Sequence, residues 1–113
     1  MQDFRKHFGN LAEEFARKFL KSRGLKILTT NFFVRGGEVD IIARDGDLIL
    51  FVEVKARRSD KFGSAIEAVD DAKIHRVAMA GQKFLHDNSL GHLDWRVDVI
   101  AIENGKLRWI KGV

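Results

Sequence analysis

Two segments of the chain have the apolar spacing of amphipathic helices. In residues 11–23 the apolar positions recur every three to four residues, Asn10 is suited to cap the start, and Gly24 is suited to end the helix. A second segment, residues 65 to about 86, has the same spacing. The apolar stripe predicted for the first helix consists of Leu11, Ala12, Phe15, Ala16, Phe19 and Leu20.

The remaining segments are typical of β-strands. They are residues 25–34, 38–44, 47–57, 95–102 and 106–110, with turns marked by glycine, aspartate and asparagine because the chain has no proline. Alternate residues of the third strand are apolar and should face a core: Leu48, Leu50, Val52, Val54 and Ala56. The element order α-β-β-β-α-β-β predicts an α/β fold, a mixed β-sheet flanked by helices, in a single domain of residues 1–113.

An Asp45-Gly46 pair between the second and third strands is typical of a two-residue hairpin turn. Such a turn would pair Asp40 with Phe51 and Glu38 with Glu53, which makes Asp40 and Glu53 diagonal neighbours about 7 Å apart. Because side chains alternate along a strand, one face would then carry Glu38, Asp40, Phe51, Glu53, Lys55 and Arg57. A three-residue turn would reverse the alternation and separate this set.

Composition excludes several classes of protein and site. The chain has no cysteine, which excludes a disulfide framework and a cysteine-ligated zinc or iron–sulfur site. No apolar run approaches the ~20 residues of a membrane-spanning helix, and no apolar secretory stretch follows Met1, so we expect a cytoplasmic protein with no membrane partner. The net charge of +4 slightly favours an anionic partner. The histidines lack ligand spacing and should lie at the surface: His7, His75, His86 and His92.

The predicted carboxylate pair is the candidate for chemistry. Asp40 and Glu53 would repel each other beside apolar neighbours, and a divalent cation with oxygen ligands would offset that repulsion. Mg²⁺ suits two carboxylates, because it keeps several waters and accepts phosphate oxygens. Lys55 would lie beside the same ion and could orient an attacking water or neutralise charge on the phosphate. A surface ion pair between Glu53 and Lys55, without Asp40, explains the same residues and stays open.

Motifs along the chain resemble those of a known family. They are Gly37-Glu38-Val39-Asp40-Ile41-Ile42-Ala43, Phe51-Val52-Glu53-Val54-Lys55-Ala56-Arg57, Phe62-Gly63, Lys73, Arg96-Val97-Asp98-Val99 and Trp109-Ile110-Lys111. In this order they resemble the PD-(D/E)xK restriction-endonuclease-like superfamily, which includes Holliday-junction-resolvase-like nucleases. More closely, the chain resembles the YraN family of small bacterial nuclease-like proteins, and the resemblance covers nearly its whole length.

The resemblance implies a metal-dependent nuclease core. Asp40 and Glu53 would be the metal ligands, helped by the main-chain carbonyl of Val54, and Lys55 would be the catalytic lysine. Glu13 would be the acidic residue that the first helix brings to the site, a role consistent with its position at the edge of the apolar stripe. A solvated helix glutamate is the alternative for Glu13.

The expected function is hydrolysis of phosphodiester bonds in DNA, in a branched or structured form, with Mg²⁺ or Mn²⁺ as cofactor. Arg57, Arg58, Lys61 and Lys73 would contact phosphates of the nucleic acid, although an exposed face explains Lys73 equally well. A homodimer would supply two sites for cutting two strands. Two alternatives stay open: a non-catalytic nucleic-acid-binding module that retains the nuclease fold, and an interaction domain whose acidic cluster is a structural ion-pair network.

Overall fold

The structure, a computed structural model, describes residues 4–57 and 69–113, with the backbone alone for residues 4–8. Its elements are α1 (Phe4–Ser22), β1 (Lys26–Val34), β2 (Gly37–Asp45), β3 (Leu48–Arg57), α2 (Asp71–Asp87), β4 (Asp94–Glu103) and β5 (Lys106–Ile110). This order confirms the predicted α/β fold. Neither α1 nor α2, the helices within the described ranges, is long and apolar enough to cross a membrane.

The five strands form one mixed sheet in the order β1-β2-β3-β4-β5. β3 and β4 are parallel, and the other neighbours are antiparallel. A parallel pair needs a long crossover connection, and α2 lies in the connection between these two strands. The fold therefore holds β3 at the centre of the sheet, with β2 and β4 as its neighbours.

The sheet buries apolar side chains on both faces. The face covered by α1 contains Ala12, Ala16, Leu20, Leu25, Ile41, Ala43, Leu50, Val52, Ile100 and Ile102. The face covered by α2 contains Val39, Ile42, Ile49, Phe51, Val77, Ala80, Leu85 and Val97. The predicted apolar side of β3 is confirmed, because Leu48, Leu50, Val52, Val54 and Ala56 all pack in the α1 cluster. The apolar stripe of α1 is wider than the part of the helix that the sheet covers, since Leu11 and Phe15 are half-exposed.

Helix starts were predicted less well than helix ends. α1 begins at Phe4, so the predicted start at residue 11 was wrong and Asn10 lies inside the helix instead of capping it. Gly24 ends α1 as predicted, with φ +88° and its N–H donating to the Lys21 carbonyl at 3.0 Å. α2 begins at Asp71 because the Asp70 carboxylate caps it, so its predicted start was also too early. Residues 65–68 lie outside the described residues.

The predicted register of the β2–β3 hairpin was wrong by two residues. Asp45 pairs with Leu48, so the turn consists of Gly46 and Asp47, and Phe51 pairs with Ile42 instead of Asp40. The reason is the turn geometry: Gly46, with φ +60°, takes the first central position, which is the glycine position of a type II′ turn. A shift of two residues preserves the alternation of faces in β3, but β2 changes face at Asp40, because Val39 and Ile42 both pack in the α2 cluster whereas Ile41 packs in the α1 cluster.

Phe51 is buried beneath α2 in close contact with its backbone. A Cβ at Gly81 would overlap the Phe51 ring, which also stacks on Trp95 at a centroid distance of 5.3 Å. We expect Gly81→Ala to lower the free energy of unfolding by about 1–2 kcal/mol, because the overlap outweighs the better helix propensity of alanine. Urea denaturation measures this change.

The control is Gly9→Ala in α1, where a Cβ would meet nothing within 4 Å. This substitution should raise the free energy of unfolding by up to about 1 kcal/mol, through helix propensity alone. Equal effects of the two substitutions would contradict the proposed packing of α2 on Phe51.

Candidate functional site

Asp40 and Glu53 meet where the β2–β3 pairing ends. The last pair is Ile41 with Val52, and Asp40 and Glu53 are the next residues beyond it on β2 and β3. The Asp40 carboxylate also accepts the N–H of Val54 at 2.8 Å through Oδ2. This hydrogen bond fixes the Asp40 carboxylate beside β3.

Glu53 is a buried carboxylate held by two lysines. Its side chain is only 4% exposed, and its Oε1 lies 3.4 Å from Lys55 Nζ and 3.3 Å from Lys73 Nζ. Lys55 belongs to the same strand, whereas Lys73 comes from the first turn of α2. Burial lowers the pKa of Lys73, but the charge of Glu53 and its hydrogen bond outweigh burial and raise that pKa overall. Lys73 was predicted as a phosphate contact, and the structure brings it to the carboxylate pair.

Asp40 carries the strongest electrostatic signature of the site. Burial and the nearby charge of Glu53 raise the pKa of Asp40 to about 8, against the opposing effect of the Val54 N–H. The carboxylates of Glu13 and Glu38 add smaller contributions in the same direction. Burial and the neighbouring carboxylates therefore both disfavour the charged form of Asp40 in the absence of a cation.

Glu13 reaches the same region from α1. Its Oε1 accepts a hydrogen bond of 2.7 Å from Asn31 Nδ2, and burial raises the pKa of Glu13 above its usual value. Asn31 adopts the left-handed conformation, with φ +52°, and lies on β1 at the position opposite Asp40. Asn31 was not among the predicted site residues. Asparagine tolerates this conformation better than most residues, so an asparagine inside a strand was the signal that could have identified it.

The donor set fits Mg²⁺ or Mn²⁺ through a carboxylate pair. In the part of the chain that the structure describes, no three His, Cys, Asp or Glu side chains are arranged to enclose a metal ion. Two carboxylates, with the main-chain carbonyl of Val54 next in sequence, would leave coordination positions for water and phosphate oxygens, as Mg²⁺ prefers. The raised pKa of Asp40 is also consistent with a cation site, because a bound cation would offset the burial of its charge and its repulsion with Glu53.

Of the other basic residues predicted to contact phosphates, the structure describes only Arg57. Arg57 lies exposed at the end of β3, and its guanidinium donates to the Ala56 carbonyl at 2.9 Å. Arg58 and Lys61 lie outside the described residues. The surface position expected for the histidines is confirmed for His75, His86 and His92.

Asp98 has a structural role. Its buried carboxylate accepts two hydrogen bonds from the Arg96 guanidinium, at 2.7 and 2.9 Å. The Trp109 indole N–H and the Gly112 backbone N–H also donate to it, at 2.9 and 3.0 Å. These donors explain how a charged group is tolerated at 0% exposure, and they tie the end of the chain to β4.

Comparison with known sequences identifies close relatives. The model of the uncharacterised protein family UPF0102 matches residues 12–102. A UPF0102 protein of Carboxydothermus hydrogenoformans is 42% identical over 99 residues, which cover 88% of this chain and 84% of the relative. A UPF0102 protein of Pseudomonas syringae pv. syringae is 40% identical over 113 residues, covering 95% and 92% of the two chains. These matches confirm the family resemblance that the motifs carry.

The raised pKa of Asp40 predicts a pH-dependent stability for the metal-free protein. Between the usual aspartate pKa of 3.8 and a folded pKa of about 8, the folded state binds more protons than the unfolded state. The free energy of unfolding should therefore fall as the pH rises through this window. Asp40→Asn should remove the part of this pH dependence that comes from Asp40. The free energy of unfolding of the variant should therefore rise relative to that of the native protein as the pH increases from 5 to 8.

Urea denaturation in EDTA at a series of pH values measures the difference between the two proteins, in which the titration of the other groups largely cancels. A difference that stays constant with pH would show that Asp40 titrates normally.

Proposed function

This chain belongs to the uncharacterised protein family UPF0102, and from that membership and its carboxylate pair we propose that it is a metal-dependent nuclease that hydrolyses phosphodiester bonds in DNA. The single observation that supports the proposal is the hydrogen bond of the Asp40 carboxylate to the N–H of Val54, the residue after Glu53, with Lys55 Nζ 3.4 Å from the Glu53 carboxylate. Two carboxylates and an amine on adjoining strands supply cation ligands and a positive charge at one point of the sheet. Phosphoryl chemistry needs both.

Each side chain has a distinct task in this proposal. Asp40, Glu53 and the main-chain carbonyl of Val54 would hold the divalent cation. When bound, such a cation polarises the scissile phosphate and makes water more acidic. The Lys55 ammonium orients the attacking water or neutralises the charge that develops on the phosphate. Lys73, 3.3 Å from Glu53, holds that carboxylate in place and carries positive charge to the edge of the site.

The substrate is negatively charged, and the surroundings of the site supply further cations. Arg57 lies exposed at the end of the strand that carries Glu53 and Lys55, and it would contact a flanking phosphate together with Arg58 and Lys61. Because each phosphate contact releases counterions, DNA binding should weaken as salt rises. Cutting both strands of a branched DNA requires two sites, and a homodimer of this chain would supply them.

One observation favours a second candidate function. Two lysines contact the same oxygen of Glu53, and such an arrangement also suits a structural ion-pair network in an interaction domain. In that case the lysines alone would balance Glu53, and no cation would be required. The two candidates differ in their response to metal, because a network has no cation site to saturate.

Metal binding should stabilise the folded protein in a saturable way. Titration with MgCl₂ or MnCl₂ should raise the melting temperature, with about 2.7 kcal/mol of stabilisation at 100 times the Kd. Asp40→Asn should abolish the saturable part, because it removes one of the two charged ligands. Differential scanning calorimetry measures the effect, and Asp47→Asn, which changes an exposed aspartate in the hairpin turn, is the control. A native protein that metal does not stabilise would favour the ion-pair network.

DNA cleavage should depend on Asp40 and Lys55. We expect the native protein with Mg²⁺ or Mn²⁺ to cut a four-way junction in preference to linear or nicked DNA. Asp40→Asn and Lys55→Ala should each slow cleavage at least about 100-fold, because each removes charge stabilisation from the transition state. Lys55→Ala should still bind DNA. Single-turnover assays on denaturing gels measure the rates.

The matched control for the lysine substitution is Lys18→Ala, which removes an exposed lysine of α1 that pairs with Glu14. Its cleavage rate should equal that of the native protein. Equal products from the native protein and Asp40→Asn would identify a contaminating nuclease. Binding of junction DNA without cleavage under any metal would favour the non-catalytic nucleic-acid-binding module.

A further inference from the structure

A pocket opens beside the carboxylate pair, between the β1–β2 hairpin and α2. Its volume is about 350 Å³, and its lining includes Phe33, Gly36, Gly37, Glu38, Lys73 and Arg76. Lys73 joins the pocket to the candidate site, since its Nζ contacts Glu53 at 3.3 Å. A ligand in this pocket would therefore lie next to the proposed site of phosphodiester hydrolysis.

Phe33 is the unusual side chain of this pocket. It is 73% exposed, the largest exposure of any large apolar side chain in the described part of the chain. Its neighbour Phe32 packs in the core, in edge-to-face contact with Phe84 at a centroid distance of 5.2 Å. Phe33 has an exposed ring at the rim of a pocket, which is the position of a stacking surface for a flat ligand.

Backbone packing fixes the shape of the pocket. A Cβ at Gly37 would lie 2.6 Å from the backbone oxygen of Arg76 and 3.2 Å from the Cβ of Ala80, so the hairpin rests directly on α2. Gly36 completes the turn with φ +86°, which favours glycine. The distance from the hairpin that carries Phe33 to the cationic side of α2 is therefore set by main-chain contact and does not depend on a flexible side chain.

The charges of the pocket favour an anionic, aromatic ligand. Lys73, Arg76 and Glu38 line it, and because Lys73 Nζ already contacts Glu53, Arg76 is the residue assigned to the phosphate. A ring with cations beside it is the pattern by which proteins bind single-stranded nucleic acid, where bases stack on aromatic side chains and phosphates meet lysine or arginine. Duplex DNA does not offer this contact, because its base faces are covered by stacking within the helix.

We propose that this pocket binds an unpaired nucleotide of the substrate, with its base stacked on Phe33 and its phosphate facing Arg76. The inference rests on the proposed function and specifies the substrate class: nucleic acid with at least one unpaired base close to the bond that is cut. Gapped and single-stranded DNA meet this condition, and a branched DNA meets it where a base pair at the branch point is open, whereas a continuous duplex does not.

A double-mutant cycle between Phe33 and one base tests the proposal. Fluorescence anisotropy would measure binding to a gapped duplex with one unpaired nucleotide, and to the same DNA with an abasic nucleotide at that position. Both DNAs carry the same phosphates, so their difference isolates the base. The protein carries Asp40→Asn, which prevents cleavage during the measurement. With Phe33 present, loss of the base should weaken binding about 5- to 100-fold.

In Phe33→Ala, binding of the base-containing DNA should fall to the abasic level, and loss of the base should then have less than about a twofold effect. Phe33→Trp should restore the preference for the base, because stacking needs an aromatic ring. Phe15→Ala, which removes another exposed phenylalanine, is the control and should behave like the parent. Continuous duplex should bind equally to the parent and Phe33→Ala. Melting temperatures should be unchanged, since Phe33 is largely exposed.

Two results would overturn the proposal in distinguishable ways. If loss of the base weakens binding equally with and without the Phe33 ring, the stacking site is wrong, while metal-dependent cleavage by the native protein would leave the proposed function intact. If the parent binds none of these DNAs and the native protein cleaves none, the nuclease function itself fails and the pocket has no nucleic acid to bind.

Discussion

Repulsion between Asp40 and Glu53 is the constraint around which this part of the molecule is arranged. The two carboxylates lie on neighbouring strands, just beyond the last pair of β2 with β3, in a sheet that is covered on both faces, where solvent screens charge poorly. The hydrogen bond from Val54 and the contacts of Glu53 with Lys55 and Lys73 partly offset this repulsion. Burial first, and the charge of Glu53 second, still raise the pKa of Asp40 to about 8.

The fold brings both helices to this one end of the β2–β3 pair. α1 covers one face of the sheet and contributes Glu13, which Asn31 of the edge strand holds at 2.7 Å. α2 covers the other face and contributes Lys73 to Glu53. Lys73 lines the pocket beside Phe33 and also contacts Glu53. The proposed base site therefore adjoins the proposed cation site. Asp98, by contrast, is satisfied by its own donors and serves the stability of the fold.

The sequence predicted those features that depend on local pattern. Alternation along β3 identified its apolar face, and the turn residues identified the hairpin that unites Asp40 with Glu53. The register was wrong by two residues because Asp-Gly can occupy a turn in more than one frame, and only the pairing of the strands decides between them. The contacts of Lys73 with Glu53 and of Asn31 with Glu13 join residues distant in sequence. No local pattern encodes such contacts, so they required the structure.

Anomalous X-ray diffraction from crystals grown with MnCl₂ is the decisive measurement for the proposed cation site, because it locates the cation without reference to activity. We expect one strong manganese peak between Asp40 and Glu53, in contact with an oxygen of each carboxylate, and the loss of that peak in Asp40→Asn. A map with no peak at this position, in which Lys55 and Lys73 alone still hold Glu53, would contradict it.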